Sequence, residues 1–195
     1  MTDLRKRLLV AVENARHATS DFDLNPDVVL PADRILKQAA VLIAVSEDGQ
    51  IVLTKRSAQL KHHPGQIAFA GGRRDDTDRD LLHTATREAR EEIGLPEASV
   101  DVLGLLPPHE TVTNFAVTPI LALVPAGQVY LPEPGEVDEV FRVPINHVLS
   151  AQNFFVERRR WRGKSRHYYV VPYGPYYIWG ATARILRGLA EGWEK

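Results

Sequence analysis

Residues 84–95 read Thr-Ala-Thr-Arg-Glu-Ala-Arg-Glu-Glu-Ile-Gly-Leu, and two helical patterns overlap in them. Positions three and four apart share one face of a helix. Glu88 therefore neighbours both Glu91 and Glu92, while Leu82, Ala85, Ala89 and Ile93 make an adjoining apolar stripe. Carboxylates crowded this closely repel one another unless positive charge intervenes. A hard divalent cation suits them, because Mg²⁺ and Mn²⁺ prefer oxygen ligands and leave positions open for waters or phosphates. A solvated acidic face, tempered by Arg87 and Arg90, is the alternative that the helix alone allows.

Just upstream, Gln66-Ile67-Ala68-Phe69-Ala70 reads as a short buried strand closed by Gly71-Gly72. The helix is expected to start around Asp75 to Asp78, where Asp and Thr offer capping oxygens, and to stop at Gly94. Strand, double glycine, acidic loop, carboxylate helix and glycine stop together resemble the box of the Nudix hydrolase family, G-x5-E-x7-R-E-U-x-E-E-x-G-U, with U aliphatic. Arg87 to Leu95 fits its second half, with Ala89 at the first U. Counted from Gly72, Asp78 takes the place of the first glutamate, but eight residues rather than seven separate it from Arg87. The resemblance implies that Glu88, Glu91 and Glu92 hold Mg²⁺ or Mn²⁺, that the Gly72 carbonyl adds a ligand, and that Arg87 orients the glutamates. The inserted residue leaves the role of Asp78 open.

Residues 52–72 carry a second signature. Leu53, Thr54, Arg56, Ser57, Gly65, Phe69, Gly71 and Gly72 match L-L-T-x-R-[SA]-x3-R-x3-G-x3-F-P-G-G, which marks the coenzyme A diphosphatase branch of that family. Val52, Lys61 and Ala70 depart from it. Lys61 keeps the charge of an arginine but not its two-pronged phosphate geometry. Leu106-Pro107-Pro108, Val117-Thr118-Pro119 and Ile178 to Ala183 are similar to further pieces of that branch. The implied reaction is hydrolysis of the internal diphosphate of coenzyme A or acyl-coenzyme A to 3′,5′-ADP and 4′-phosphopantetheine or its acyl form. Arg56, Lys61, Gly71, Gly72 and Arg73 are the candidate phosphate-binding residues, with Arg74 an alternative to Arg73. Glu136 and Glu110 are candidate general bases from outside the box, beside Glu88 within it. His62 and His63 are weaker acid–base candidates. The same metal chemistry also fits ADP-ribose, NADH or dinucleoside polyphosphates, and a domain that only binds nucleotides or RNA is the alternative of another class.

Composition bounds these readings. The 195 residues, with 44% hydrophobic and 25% charged, suit one soluble domain with a real core. A formal charge of −1 argues against wholesale nucleic-acid binding. With no cysteine, thiol catalysis and thiolate metal sites are excluded. No apolar run approaches the ~18–20 residues of a membrane span, no signal peptide is visible, and a cytoplasmic location is the expectation. The expected partner is a small molecule rather than a membrane, and the expected state a monomer or homodimer.

Along the chain, residues 3–17 read as an amphipathic helix capped by Thr2, and 18–34 as a connecting arm. Residues 35–190 make up the Nudix-like core. Strands are expected at Ala39–Val45 and Gln50–Lys55, joined over Asp48-Gly49, then at Val100–Leu106, Phe115–Val124 and Asp138–Pro144. Phe154–Arg160 and Ser165–Val171 pair as a basic hairpin carrying Arg158, Arg159, Arg160, Arg162, Lys164 and Arg166, with Trp161 and Tyr168 between them. That cluster reads as a reader of the 3′-phosphate of coenzyme A, as an RNA surface, or as a solubilising hairpin. Tyr176 to Trp193 reads as a closing helix with Ile185, Leu186 and Leu189 inward, and Tyr173, Tyr176 and Tyr177 as core and interface residues rather than an adenine clamp. Strands interleaved with helices predict an α/β fold, which the resemblance refines to a Nudix-type α/β/α sandwich around a mixed sheet.

Overall fold

A computed structural model describes residues 2–161 and 163–193, including all their side chains except those of Trp161 and Lys164. Arg162 and those two side chains, all part of the basic cluster, lie outside the described residues. The central strand is β2 (Lys37–Ser46), which follows α1 (Asp3–Asn14) and the two-residue β1 (Thr19–Ser20). It runs parallel to β8 (Phe115–Val124) over its whole length, from Lys37↔Phe115 to Ser46↔Val124. Both strands are buried on two faces, so they read as near-continuous apolar runs. Ala40, Leu42, Ala44, Ile120, Ala122 and Val124 pack to one side, and Ile43, Val45, Leu121 and Leu123 to the other. The first side is covered by α2 (Leu81–Ile93). The second is covered by α1 and α4 (Ala181–Trp193), through Leu8, Ala11, Ile185, Leu186 and Leu189. The result is the expected α/β/α sandwich.

The β2–β3 hairpin forms, but it opens at once. β3 (Gln50–Arg56) pairs with β2 only at Val45↔Ile51 and then parts from it, while it pairs with β9 (Val137–Pro144) from Gln50 to Arg56. The vacated edge of β2 is taken by β5 (Ala70–Arg73), in the register Ala39↔Arg73 to Leu42↔Ala70. The apolar run from Gln66 is therefore two strands: β4 (Ile67–Ala68) pairs with β3, and the chain crosses at Phe69 into β5. The double glycine lies inside β5 and does not close the run as expected. Gly71 has φ +153, and a Cβ there would meet the Ala40 carbonyl and, at 2.6 Å, the Val41 Cα. No side chain fits this close backbone approach.

Helix α2 begins later than expected. Its N-cap is Asp80, whose carboxylate accepts the His83 N–H at 2.7 Å, because Asp78 is turned inward to other work. Its end is the expected one: Gly94 adopts φ +64 and Leu95 N–H donates back to Ala89 O. α1 ends at Asn14 rather than residue 17, and the closing helix starts at Ala181 because Tyr176 bridges Tyr173 and Trp179 bridges Val170 instead. β6 (Asp101–Leu105) and β7 (His109–Glu110) both pair with β8, and β7 also pairs with β1 from the arm. A short α3 (Ile145–Val148) was not expected. β10 (Phe155–Trp161) and β11 (Lys164–Val170) form a separate two-stranded sheet. The arm docks onto it: Asn25 Nδ2 donates to His167 O and His167 N–H donates to Asn25 Oδ1, at 2.9 and 2.8 Å. Tyr176 is a packing residue as expected, stacked on Phe141 with centroids 3.6 Å apart.

Gly71→Ala is expected to destabilise the protein by about 3 kcal/mol, combining backbone strain with overpacking. Urea denaturation reads this as a lower midpoint at unchanged slope. An unchanged midpoint would mean that β5 yields to admit the methyl group.

Candidate active site

α2 meets β5 through the carboxylates. Gly71 N–H donates to Glu92 Oε2 at 3.0 Å, and Glu92 is only 5% exposed. A Cβ on Gly72 would lie 2.6 Å from the Glu88 carboxylate, so that carboxylate occupies the space a side chain would need. The double glycine thus brings a strand backbone against two glutamates one helical turn apart. Arg56, at the end of β3, completes the contact with its Nη1 3.9 Å from Glu92 Oε1.

The other half of the site is built on Asp78, which is 2% exposed. Arg87 donates to it twice, from Nε to Oδ1 at 2.9 Å and from Nη2 to Oδ2 at 3.0 Å. Thr84 Oγ1 and Asp75 N–H also donate to Oδ2, and His83 Nδ1 lies 2.8 Å from Oδ1. The Arg87 guanidinium, with these bonds and against the cost of burial, holds the Asp78 carboxyl well below the usual carboxylate range. So anchored, Arg87 turns its Nη1 to Glu88 Oε1 at 3.0 Å and to Glu91 Oε2 at 2.8 Å. The inserted residue is absorbed in the loop before α2, which Arg74 closes by donating to Gln38 Oε1 and Asp78 O. Arg74 is thereby committed to the loop and not to a ligand.

A third carboxylate approaches from the loop before β9. Leu131 and Glu133 N–H groups donate to the Ile93 and Glu92 carbonyls at the end of α2, and Ser57 N–H donates to Glu136 O. These three bonds carry Glu136 toward Glu88 and Glu92. Burial pushes the Glu92 carboxyl up to about 7; the Gly71 N–H and Arg56 oppose this, and the charges of Glu88 and Glu136 add to it. Burial also raises Glu88, against Arg87 and with the charges of Glu91 and Glu136. Among the described residues no His, Cys, Asp or Glu side chains form a group of three that could hold a metal ion, since Glu88 and Glu91 turn to Arg87 and Glu92 to Gly71. The donor set nevertheless suits a hard cation: buried carboxylates that raise one another's proton affinity are stabilised by positive charge among them.

Beside this cluster lies a cavity of about 560 Å³, in the range of small-molecule sites. The opened hairpin lines it with Val41, Arg56, Ala68, Phe69 and Gly71. Thr111–Thr113, Asp21 and Asn25 of the arm, the β10–β11 hairpin, and Trp179 with the first residues of α4 supply most of the remainder. Of the predicted residues, Glu88, Glu91, Glu92, Arg87, Gly71, Gly72, Arg56 and Glu136 come together. Arg73 is exposed at the end of β5, and Lys61 and His62 are exposed in a loop and line no part of the cavity, whereas His63 does line it. Glu110 sits on β7 and is ion-paired with Arg34 at 2.5 Å. The arm residues went unrecognised because nothing in their spacing marks them. Trp179 and Thr182 stand in the Ile178–Ala183 stretch, which carried a resemblance but no assigned role.

The NUDIX domain family matches residues 36–164. Two relatives named uncharacterized Nudix hydrolase NudL are similar over most of the chain. That of Cronobacter sakazakii is 42% identical over 157 residues, 79% of this chain and 81% of its own length. That of Citrobacter koseri is 41% identical over 156 residues, with the same coverage of 79% and 81%. Among solved structures, a MutT protein from Methanosarcina mazei Go1 is similar with TM-score 0.49 and 20% identity, over 61% of this chain and 84% of that one. A C. elegans Ap4A hydrolase is similar with TM-score 0.46 and 16% identity, over 55% and 80%. No helix among the described residues is long and apolar enough to cross a membrane.

Asp78→Asn is expected to cost about 3 kcal/mol, because it removes the buried carboxylate that takes two N–H groups of Arg87 and leaves only the more exposed Glu88 and Glu91 to balance that charge. The sign of the pH effect follows from the depressed carboxyl. Its contribution is fully present above the unfolded value near 3.8 and is lost as pH falls through the folded one. Denaturation at neutral and at low pH should therefore show a shallower acid loss in the variant. An equal loss in both proteins would assign acid sensitivity to other carboxylates.

Proposed function

The chain belongs to the NUDIX family of hydrolases, which act on nucleoside diphosphate derivatives, and from that premise we propose that it cleaves the internal diphosphate of coenzyme A or an acyl-coenzyme A. The observation that carries the reading is the juxtaposition of the half-buried Glu88 and the buried Glu92 with a cavity entered by Arg56 and Gly71. The family generally uses divalent metals, and Glu88, Glu92 and Glu91 with the Gly72 carbonyl are the residues that would hold Mg²⁺ or Mn²⁺. When bound, such a cation neutralises the diphosphate and acidifies water.

The chain's own residues do the rest. Arg87, held by Asp78, fixes the orientation of Glu88 and Glu91. Arg56 offers a guanidinium to the diphosphate from the cavity side, where Gly71 lets the backbone come close. Glu136 accepts the proton of the attacking water, a role favoured over Glu110 because Glu136 shares the field of Glu88 and Glu92 while Glu110 is neutralised by Arg34. One water adds to phosphorus, the bridging P–O bond breaks, and two phosphomonoesters leave: 3′,5′-ADP and 4′-phosphopantetheine, or its acyl form. Three cavity-lining residues, Arg56, Phe69 and Gly71, belong to the signature that resembles the coenzyme A branch, which supports this substrate over ADP-ribose, NADH or dinucleoside polyphosphates.

The deciding experiment offers the protein coenzyme A, ADP-ribose, NADH and a diadenosine polyphosphate side by side, with Mg²⁺ or Mn²⁺. Release of 3′,5′-ADP above all other products is expected. A preference for ADP-ribose or NADH would overturn the substrate while keeping the site, and no turnover of any would favour a binding role. Glu92→Gln keeps an acceptor for the Gly71 N–H, so the fold should survive while turnover falls by at least ~10²-fold. Near-native turnover in that variant would remove Glu92 from the reaction.

A further inference from the structure

Arg158, Arg159 and Arg160 stand in a row on β10, where the pleat sends neighbours to opposite faces. All three are exposed to solvent, but Arg159 alone lines the cavity; Arg158 and Arg160 line no part of it. Its partner across the ladder is Arg166, which lines the cavity too. Like charges directly opposite each other on a strand pair are destabilising, and among the described residues no carboxylate is ion-paired with Arg159. Arg166 is held in place by the Phe22 ring of the arm, its guanidinium 5.7 Å from the ring centre. The same wall carries Tyr168 and Trp179, whose rings stand 5.3 Å apart.

We infer that Arg159 and Arg166 form a second anion subsite, which selects substrates carrying a phosphomonoester in addition to the diphosphate that is cleaved. A dianion seated between two guanidiniums turns their repulsion into charge-assisted hydrogen bonds, and planar forks suit its oxygens. The neighbouring aromatic surface suits a heteroaromatic base by stacking. Arg56 and Gly71, at the edge where the cavity meets the carboxylates, receive the diphosphate. The substrate class is therefore a nucleotide with a diphosphate ester at one place and a phosphomonoester at another. The inference rests on the diphosphatase reading above and assigns its specificity to two residues outside the box.

The test pairs coenzyme A with dephospho-coenzyme A, which differ by that phosphomonoester alone. The native protein should favour coenzyme A in kcat/KM by at least about tenfold, the effect of one charge-assisted contact. In R159Q and in R166Q that ratio should collapse toward unity, R166K should keep part of it, and R158Q should leave it at the native value. A native ratio near unity, a ratio intact in R166Q, or an equal fall in R158Q would each overturn the inference. If neither compound is hydrolysed, the diphosphatase reading has failed separately, and calorimetric titration with 3′,5′-ADP and 5′-AMP reads the subsite without turnover. Tighter binding of 3′,5′-ADP, lost in R159Q and R166Q, supports it; equal affinities overturn it.

Discussion

The distance between α2 and β5 governs the rest of the molecule. A helix and a strand carrying ordinary side chains cannot approach so closely, and here the strand presents Gly71 and Gly72. The space where Gly72 would carry a side chain is filled by the Glu88 carboxylate, and the Gly71 N–H is met by Glu92. Charged groups are thereby brought into an apolar neighbourhood between Ala70 and Ala89. Burial of unpaired charge is costly, and the molecule offsets it with one strongly bound guanidinium. Arg87, gripped by Asp78, faces Glu88 and Glu91, while Glu92 has the Gly71 amide and the more distant Arg56.

The opened hairpin follows from the same constraint. If β3 stayed on β2, β5 would have no edge to occupy and α2 no strand to meet. Its departure after Val45↔Ile51 admits β5 on one side and leaves β4 on the other. The cavity lies along this parting, which is why residues of β2, β3, β4 and β5 all contribute to it.

Much of this was legible in the chain, and what was missed has physical causes. Strand β8 is legible to its residue limits because it is a ten-residue, almost wholly apolar run, its last six residues buried, with no polar alternation to blur its period. The glutamates were readable because charge at three- and four-residue spacing beside an apolar stripe is a local pattern. The role of Asp78 was not: it depends on a bidentate contact with Arg87 nine residues away, across a loop whose inserted residue blurred the spacing. For the same reason the N-cap was placed too early, since Asp78 and Asp80 are alike in sequence and differ only in which one is buried. The closing helix was drawn five residues long at its start, because Tyr176 to Gly180 have helix-compatible composition but are held by bridges to β11 and within the turn. Glu136 was separable from Glu110 only by what each one faces.

The pairing of Asn25 with His167 joins positions 142 apart in the chain, and this has a consequence for how the protein is made. Synthesis is vectorial, and domains begin to fold as the chain emerges from the ribosome. The carboxylate helix and the strands beneath it are available well before residue 167, so that part of the site can assemble early. The arm can pair through Thr19 and Ser20 with β7 once His109 and Glu110 are made, but Asn25 lacks its partner His167 until β11 has emerged. The carboxylate half of the candidate site thus takes shape during translation, and the cavity beside it is closed only as synthesis nears the final helix.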